Sequence, residues 1–353
     1  MSAVLDLRRA GARRVEDLWE RWDAQAPAWV DALESALEPW RRRALRSRVE
    51  GRGAPPADRL VISVGNLRLG GTGKTPVTLD LALGLAAAGR GGAVLCRGYG
   101  SGRRGPCLVT PVDASCGDEA RLLAASQAWP VIQAADRAAG FRLALASTGP
   151  DDVILLEDGH QTARVPRHLD LLLLDRWRVE GGQVRPDAGR PLPWGPYREG
   201  AGGAARAAAL LVEDAAAPDR DADGRPVLRF TRRSLLDGPV PDGPVGTLAG
   251  LARPQGFERA CAALLGREPA LRARLDDHAA YGPDRRARLR RAAADLGLAA
   301  WLTTGKDVMK LGDAGASLGA PLIRVDLELT WHGAAPADLV LDAETSSRKD
   351  ALR

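Results

Sequence analysis

The feature that most constrains this chain is the stretch Gly70-Gly71-Thr72-Gly73-Lys74-Thr75, set between the apolar run "LVISV" and the segment "PVTLDLALGLAAAG". The first reads as a short buried strand and the second as a helix ended by glycine. A glycine-rich turn in that setting is a P-loop. Its successive backbone N–H groups converge on phosphate oxygens, and the helix N-terminus adds partial positive charge. Lys74 then reaches the β/γ-phosphates of a nucleotide, and the Thr75 hydroxyl lies where Mg²⁺ is held. Gly70, Gly71, Thr72, Gly73, Lys74 and Thr75 are therefore the expected nucleotide-binding set. The full P-loop pattern is not met, because Arg68 stands at the position of its first glycine.

The rest of the chain alternates in the way such a loop requires. "GGAVLCR", "DVILLEDG" and "DLLLLD" are nearly continuous apolar runs, which suits strands covered on both faces. Helical stretches such as "GDEARLLAASQ" lie between them. A Pro-, Gly-, Arg- and Asp-rich break covers about 180–245; within it "AALLVED" and "PVLRFTRR" each read as a strand, the latter in a connecting ribbon. The alternation then resumes through "VGTLAGLA", "PQGFERACAALLG", "PDRRARLRRAAADLG", "AAWLTTGKD" and "PLIRVDLEL". The pattern predicts an α/β chain with doubly wound, mainly parallel sheets in two lobes flanking a cleft. The expected division is a helical segment over 1–50, a P-loop lobe over 51–228 and a second lobe over 229–353. The tail "AETSSRKDALR" reads as a frayed end.

At 353 residues and 45% hydrophobic, the chain can build two cores. Its four cysteines have no metal-ligand spacing and read as reduced thiols in a cytosolic protein. The start carries no leader pattern, and no apolar run approaches the roughly 18 residues of a membrane span. The net charge of +5 is modest, and nucleic acid is not among the expected partners. Lysine is scarce: Lys74, Lys306, Lys310 and Lys349 are the only ones, so each lysine in a motif stands out.

Residues 15–48 form a distinct segment. Trp19, Trp22, Trp29 and Trp40 fall here, Pro27 separates two helices, and Trp29, Leu33, Leu37 and Trp40 share one helical face. Arg41, Arg42, Arg43, Arg46 and Arg48 follow. Two readings stand: an interfacial membrane anchor, or an amphipathic helix packed on its own domain with a solvated basic end. "GRGAPPADR" reads as a linker.

Other stretches bear chemistry. Glu157 and Asp158 end the strand "VILLE", at the strand edge where a P-loop fold keeps its metal acids. Asp118 and Glu119 in "CGDEA" open a helix, either as N-terminal caps or as a carboxylate that takes a proton. His278 in "LDDHAAYGPD" is one of four histidines, structural or an acid/base group facing the P-loop. "TTGKD" does not match the base-reading element of GTPases, because Lys306 and Asp307 are adjacent. A P-loop switch ATPase or GTPase, the rival reading, would need that element and a switch loop, and neither is found.

In order along the chain, "VGNLRLGGTGKTP", "RGYG", "GDEA", "LLEDGHQ", "LPWGPYRE", "AGLARPQGFERA", "DDHAAY" and "TTGKDVMKL" resemble the tetraacyldisaccharide 4'-kinases of lipid A biosynthesis. That family often lacks glycine at the opening of its P-loop. The resemblance implies two α/β/α lobes joined by a β-ribbon, with an N-terminal helix on the membrane. It implies a peripheral enzyme on the cytoplasmic face of the inner membrane, moving the γ-phosphate of ATP to the 4'-hydroxyl of tetraacyldisaccharide 1-phosphate. Matched residue by residue, it implies Asp118 as catalytic aspartate, His278 as its partner and Glu119 near Mg²⁺. Asp158 and Gln161 match the acidic motif, and Tyr99 the Arg-Gly-Tyr-Gly turn. Three positions depart from the pattern: Glu157 replaces aspartate, His160 stands where leucine is usual, and Gly305 replaces glutamate.

Overall fold

The computed structural model describes residues 2–50, 53–162 and 164–351. The linker residues Gly51 and Arg52 lie outside them, as do the side chains of Arg42, Arg46 and Arg48. The chain opens with a strand, β1 (Ala3–Asp6), then α1 (Ala10–Ala24) and α2 (Ala28–Glu50). The first lobe follows as β2 (Leu60–Asn66), α3 (Lys74–Ala87), β3 (Gly92–Cys96), β4 (Cys107–Leu108), α4 (Asp118–Ala125), β5 (Val131–Gln133), α5 (Arg137–Ser147), β6 (Val153–Glu157) and β7 (Leu169–Leu174). A hairpin, β8 (Trp177–Glu180) and β9 (Gln183–Pro186), precedes β10 (Ala209–Val212) and the long β11 (Val227–Leu236). The second lobe comprises β12 (Val245–Gly250), α6 (Pro254–Leu265), β13 (Leu271–Leu275), α7 (Pro283–Asp295), β14 (Ala300–Thr304), α8 (Gly305–Leu311) and β15 (Leu322–Trp331); α9 (Pro336–Ala351) ends the chain.

Hydrogen bonding links the strands in the order β1-β13-β12-β14-β15-β11-β10-β7-β2-β6-β3-β5-β4. The two lobes therefore share one ladder rather than two separate sheets. The join is β11: Val227 to Arg229 pair parallel with β10, whereas Phe230 to Leu236 pair antiparallel with Val325 to Trp331 of β15. The rest is parallel except the short edge strand β4.

Side-chain alternation explains the layering. In β6, Val153 and Leu155 enter one core with Ile62, Leu81 and Leu171, while Ile154 and Leu156 enter another with Val61, Leu95 and Phe141. Both faces are apolar because helices cover both. The second lobe has its own cores, one around Leu248, Leu275, Leu289 and Trp301, another around Cys261, Leu302 and Val325. All four cysteines are buried and free.

Several expectations are corrected. Residues 3–6 are not part of a helical segment but pair with β13 at the edge of the second-lobe sheet. The tail is helical through Ala351, because α9 lays Val340 and neighbouring apolar residues into the core beneath α3. The break before β10 contains a hairpin, whose short polar strands give no apolar run to read.

Candidate active site

The glycine loop leaves the C-terminal end of β2 and enters α3 at Lys74. Gly70 (φ 72°) and Gly73 (φ 95°) hold left-handed conformations that side chains disfavour. Gly70 also lets the second lobe approach, since a Cβ there would lie 3.1 Å from Ala252. Asn66 Nδ2 donates to Thr72 Oγ1 at 2.8 Å, pinning the loop from beneath. Thr75 Oγ1 donates to Glu157 Oε1 at 3.2 Å, so the P-loop hydroxyl meets the end of β6 as expected.

Asp158, at φ 54°, turns back toward the loop, with Lys74 Nζ 3.5 Å from its carboxylate. Arg198 grips Asp158 through both nitrogens, at 2.6 and 2.8 Å, and donates to Gln161 Oε1 at 3.0 Å. Gln161 Nε2 in turn donates to Asn66 O and Glu199 Oε1. Burial pushes the Asp158 carboxyl up, but Lys74 and Arg198 outweigh it and hold it well below the usual carboxylate range. Burial, reinforced by Glu119 and Asp158, pushes the Glu157 carboxyl up despite Lys74 and Arg137.

That crowding bears on Mg²⁺. Among the described residues, no three His, Cys, Asp or Glu side chains close into a metal cage. Glu119 leans away to Lys306 Nζ, 2.9 Å distant. The set still fits a hard cation that keeps waters and phosphate oxygens as ligands: a hydroxyl and a buried carboxylate lie side by side, with two further carboxylates within electrostatic reach.

Asp118 is the first residue of α4 and faces the second lobe. Its Oδ1 accepts from His278 Nδ1 at 3.0 Å and from the Glu119 N–H at 3.0 Å. Lys310 Nζ lies 3.0 Å from Oδ2, and Lys306 bridges Glu119 to Asp277. Burial raises the Asp118 carboxyl, yet the His278 bond, Lys306 and Lys310 together hold it well below its ordinary range. The same bond raises the His278 ring above its ordinary value. Tyr99 sits on the turn below, its ring 6.5 Å from the imidazole.

Most expected residues thus converge: the glycine loop, Lys74, Thr75, Glu157, Asp158 and Gln161 form one cluster, and Asp118, Glu119, His278 and Tyr99 face it. His160 is not at the surface of the site. It is fully buried beneath it, with Nε2 donating to Gly203 O at 3.0 Å. Gly305 opens α8 against α4, where a Cβ would lie 3.2 Å from the Leu122 side chain, which would have to give by a few tenths of an ångström. Sequence reasoning gave no role to Asn66, Arg198, Glu199, Lys306 or Lys310. The signal for the lysines was their rarity. Asp307, fully buried, accepts from Gly250 N–H, Tyr281 Oη and Thr304 Oγ1, and so fixes the start of α8 that carries both lysines.

The model of the family described as tetraacyldisaccharide-1-P 4'-kinase matches residues 32–344. The tetraacyldisaccharide 4'-kinase of Phenylobacterium zucineum is 42% identical over 77% of this chain and 81% of its own. That of Anaeromyxobacter sp. (strain K) is 36% identical over 91% and 94%, and that of Gluconacetobacter diazotrophicus 37% identical over 92% and 96%. A crystal structure of LpxK from Aquifex aeolicus in complex with ATP superposes with a TM-score of 0.58 at 25% identity, covering 85% of this chain and 95% of that one.

Proposed function

The chain belongs to the tetraacyldisaccharide 4'-kinase family, and from that premise we propose how its own residues divide the work. It is a kinase that transfers the γ-phosphate of ATP to the 4'-hydroxyl of tetraacyldisaccharide 1-phosphate, forming lipid IVA in lipid A biosynthesis. The observation that carries the residue assignment is the Asp118–His278 contact, made at 3.0 Å between the two lobes.

A sugar hydroxyl is a weak nucleophile, and phosphoryl transfer depends on positioning and charge neutralisation more than on covalent help. Lys74 and the amides of Gly70 to Thr75 bind the β/γ-phosphates. Mg²⁺, assigned to Thr75, Glu157, Asp158 and Glu119, supplies neutralisation of the phosphate charge when bound. Asp118 accepts the proton of the 4'-hydroxyl. Its low proton affinity suits a loose transition state, in which that proton leaves late. His278 orients the carboxylate and, with Lys306 and Lys310, lowers its proton affinity. Gln161 completes the nucleotide side of the cleft, and Tyr99, beside His278, reaches the nucleotide from across it.

Residues 15–48 carry the membrane contact, on the cytoplasmic face of the inner membrane. Support comes from α2, whose Trp29 and Trp40 are 54% and 71% exposed on the face shared with Leu33 and Leu37. Trp19 and Trp22 lie toward the protein: Trp19 Nε1 donates to Pro193 O, and Trp22 packs on Trp194 and edge-on against Trp29, which also meets Trp194. Two working units, 51–228 and 229–353, meet at β11 and close on the substrates. Among the described residues, no helix is long and apolar enough to cross a membrane.

The test is γ-labelled ATP with the purified chain, Mg²⁺ and tetraacyldisaccharide 1-phosphate in detergent micelles. Label is expected on the lipid and lost in Asp118→Ala. Hydrolysis indifferent to lipid, with none labelled, would overturn the assignment.

A further inference from the structure

Two arginines of the second lobe reach the glycine loop from its carbonyl side. Arg232, on β11, donates from Nη2 to Thr72 O at 2.7 Å, and Arg253, just before α6, donates from Nη2 to Gly71 O at 3.3 Å. Arg232 also lies against Gly73, where any Cβ would meet its guanidinium, and keeps one carboxylate, Glu213, at 3.4 Å. Arg253 has no carboxylate within ion-pair distance among the described residues, and Arg68 and Arg232 crowd it with like charge. The Arg232 Nε is buried without a hydrogen-bond partner.

A trans peptide is planar, with its C=O and N–H pointing in opposite directions. The carbonyl of Gly71 shares a peptide with the N–H of Thr72, and that of Thr72 with the N–H of Gly73. A guanidinium on each carbonyl therefore fixes the direction of the amide on the far side. It also polarises that amide, because hydrogen bonds in series strengthen one another. Glycine-rich backbone is otherwise free to rotate these peptides away from the cradle.

We propose that Arg232 and Arg253 are positioning residues for the nucleotide. From the second lobe they hold the Thr72 and Gly73 amides toward the phosphates, so that the cradle is complete only when the lobes are docked. This rests on the reading of the loop as an ATP site. The pair acts through backbone amides, so its effect follows the phosphates the loop holds and not the base or sugar.

The experiment is calorimetric titration of ATP, ADP and AMP into the full-length chain in micelles, comparing wild type with Arg232→Met, Arg253→Met and Arg253→Lys. Each methionine variant is expected to weaken ATP and ADP about tenfold, the scale of one charge-assisted hydrogen bond, with AMP unchanged. Arg253→Lys, which keeps a charged donor, recovers part of the loss. In turnover, KM for ATP rises while KM for the lipid acceptor does not. Should Arg232→Met fail to fold, Arg253→Met, at an exposed position, still decides. Binding of ATP by Arg253→Met within twofold of wild type overturns the proposal, as does equal loss of ATP, ADP and AMP. Wild type that binds none of the three overturns the nucleotide reading, and this pair with it.

Discussion

His278→Ala removes one hydrogen bond, that from Nδ1 to Asp118 Oδ1 at 3.0 Å, and leaves Lys310 on the other carboxylate oxygen. A hydrogen bond to a charged group contributes about 1.5–3 kcal/mol, and each ~1.4 kcal/mol is tenfold in rate. The single variant should therefore lose about ten- to hundredfold in single-turnover transfer. Asp118→Asn should lose more, because it removes the base itself. The decisive measurement is the double variant. If His278 acts only by orienting Asp118, it has nothing left to orient once the carboxylate is gone, and Asp118→Asn/His278→Ala should be no slower than Asp118→Asn within about threefold. Multiplying losses would refute the reasoning, showing that the imidazole touches the reacting groups directly.

Lys74→Ala should lower turnover at least about hundredfold and weaken ATP more than acceptor, measured by initial rates against each substrate. The raised His278 value means the protonated ring is favoured in the folded chain. Its stabilisation is fully present below about pH 6.5, its ordinary value, and is lost as pH rises through the folded value. The Tm gap between wild type and His278→Ala should therefore narrow from pH 6 to pH 9; a constant gap contradicts the linkage. Trp40→Ser should cut partition into anionic vesicles about tenfold, with Tm and micellar turnover little changed, because this residue is 71% exposed, whereas Trp29 also packs edge-on against Trp22 and Trp194. Undiminished flotation with vesicles would move the membrane contact elsewhere.

Much of the fold was legible because each core strand carries its own signal. β2, β6 and β7 are buried on both faces, and a run such as "DLLLLD" has no other stable place in a folded chain. What escaped lacked that signal. β1 is a four-residue edge strand whose sequence, "AVLD", is half exposed, and it is defined only by its partner β13, hundreds of residues later. α9 escaped because Val340, its one fully buried residue among the described side chains, covers α3 through tertiary packing that no local periodicity announces.

The site divides the same way. A P-loop is legible because its function is local: glycine freedom, a helix N-terminus, a lysine and a threonine are consecutive. Asp118 alone reads as a helix cap, since acids are common at that position. Only the fold brings His278, Lys306 and Lys310 onto α4, from residues far along the chain. Those partners outweigh what burial does to Asp118, holding well below its ordinary range a carboxyl that burial pushes up. The chemistry of the proposed base is therefore a property of the cleft between the lobes. The motif "GDEA" supplies a carboxyl group, and His278, Lys306 and Lys310 of the second lobe lower its proton affinity.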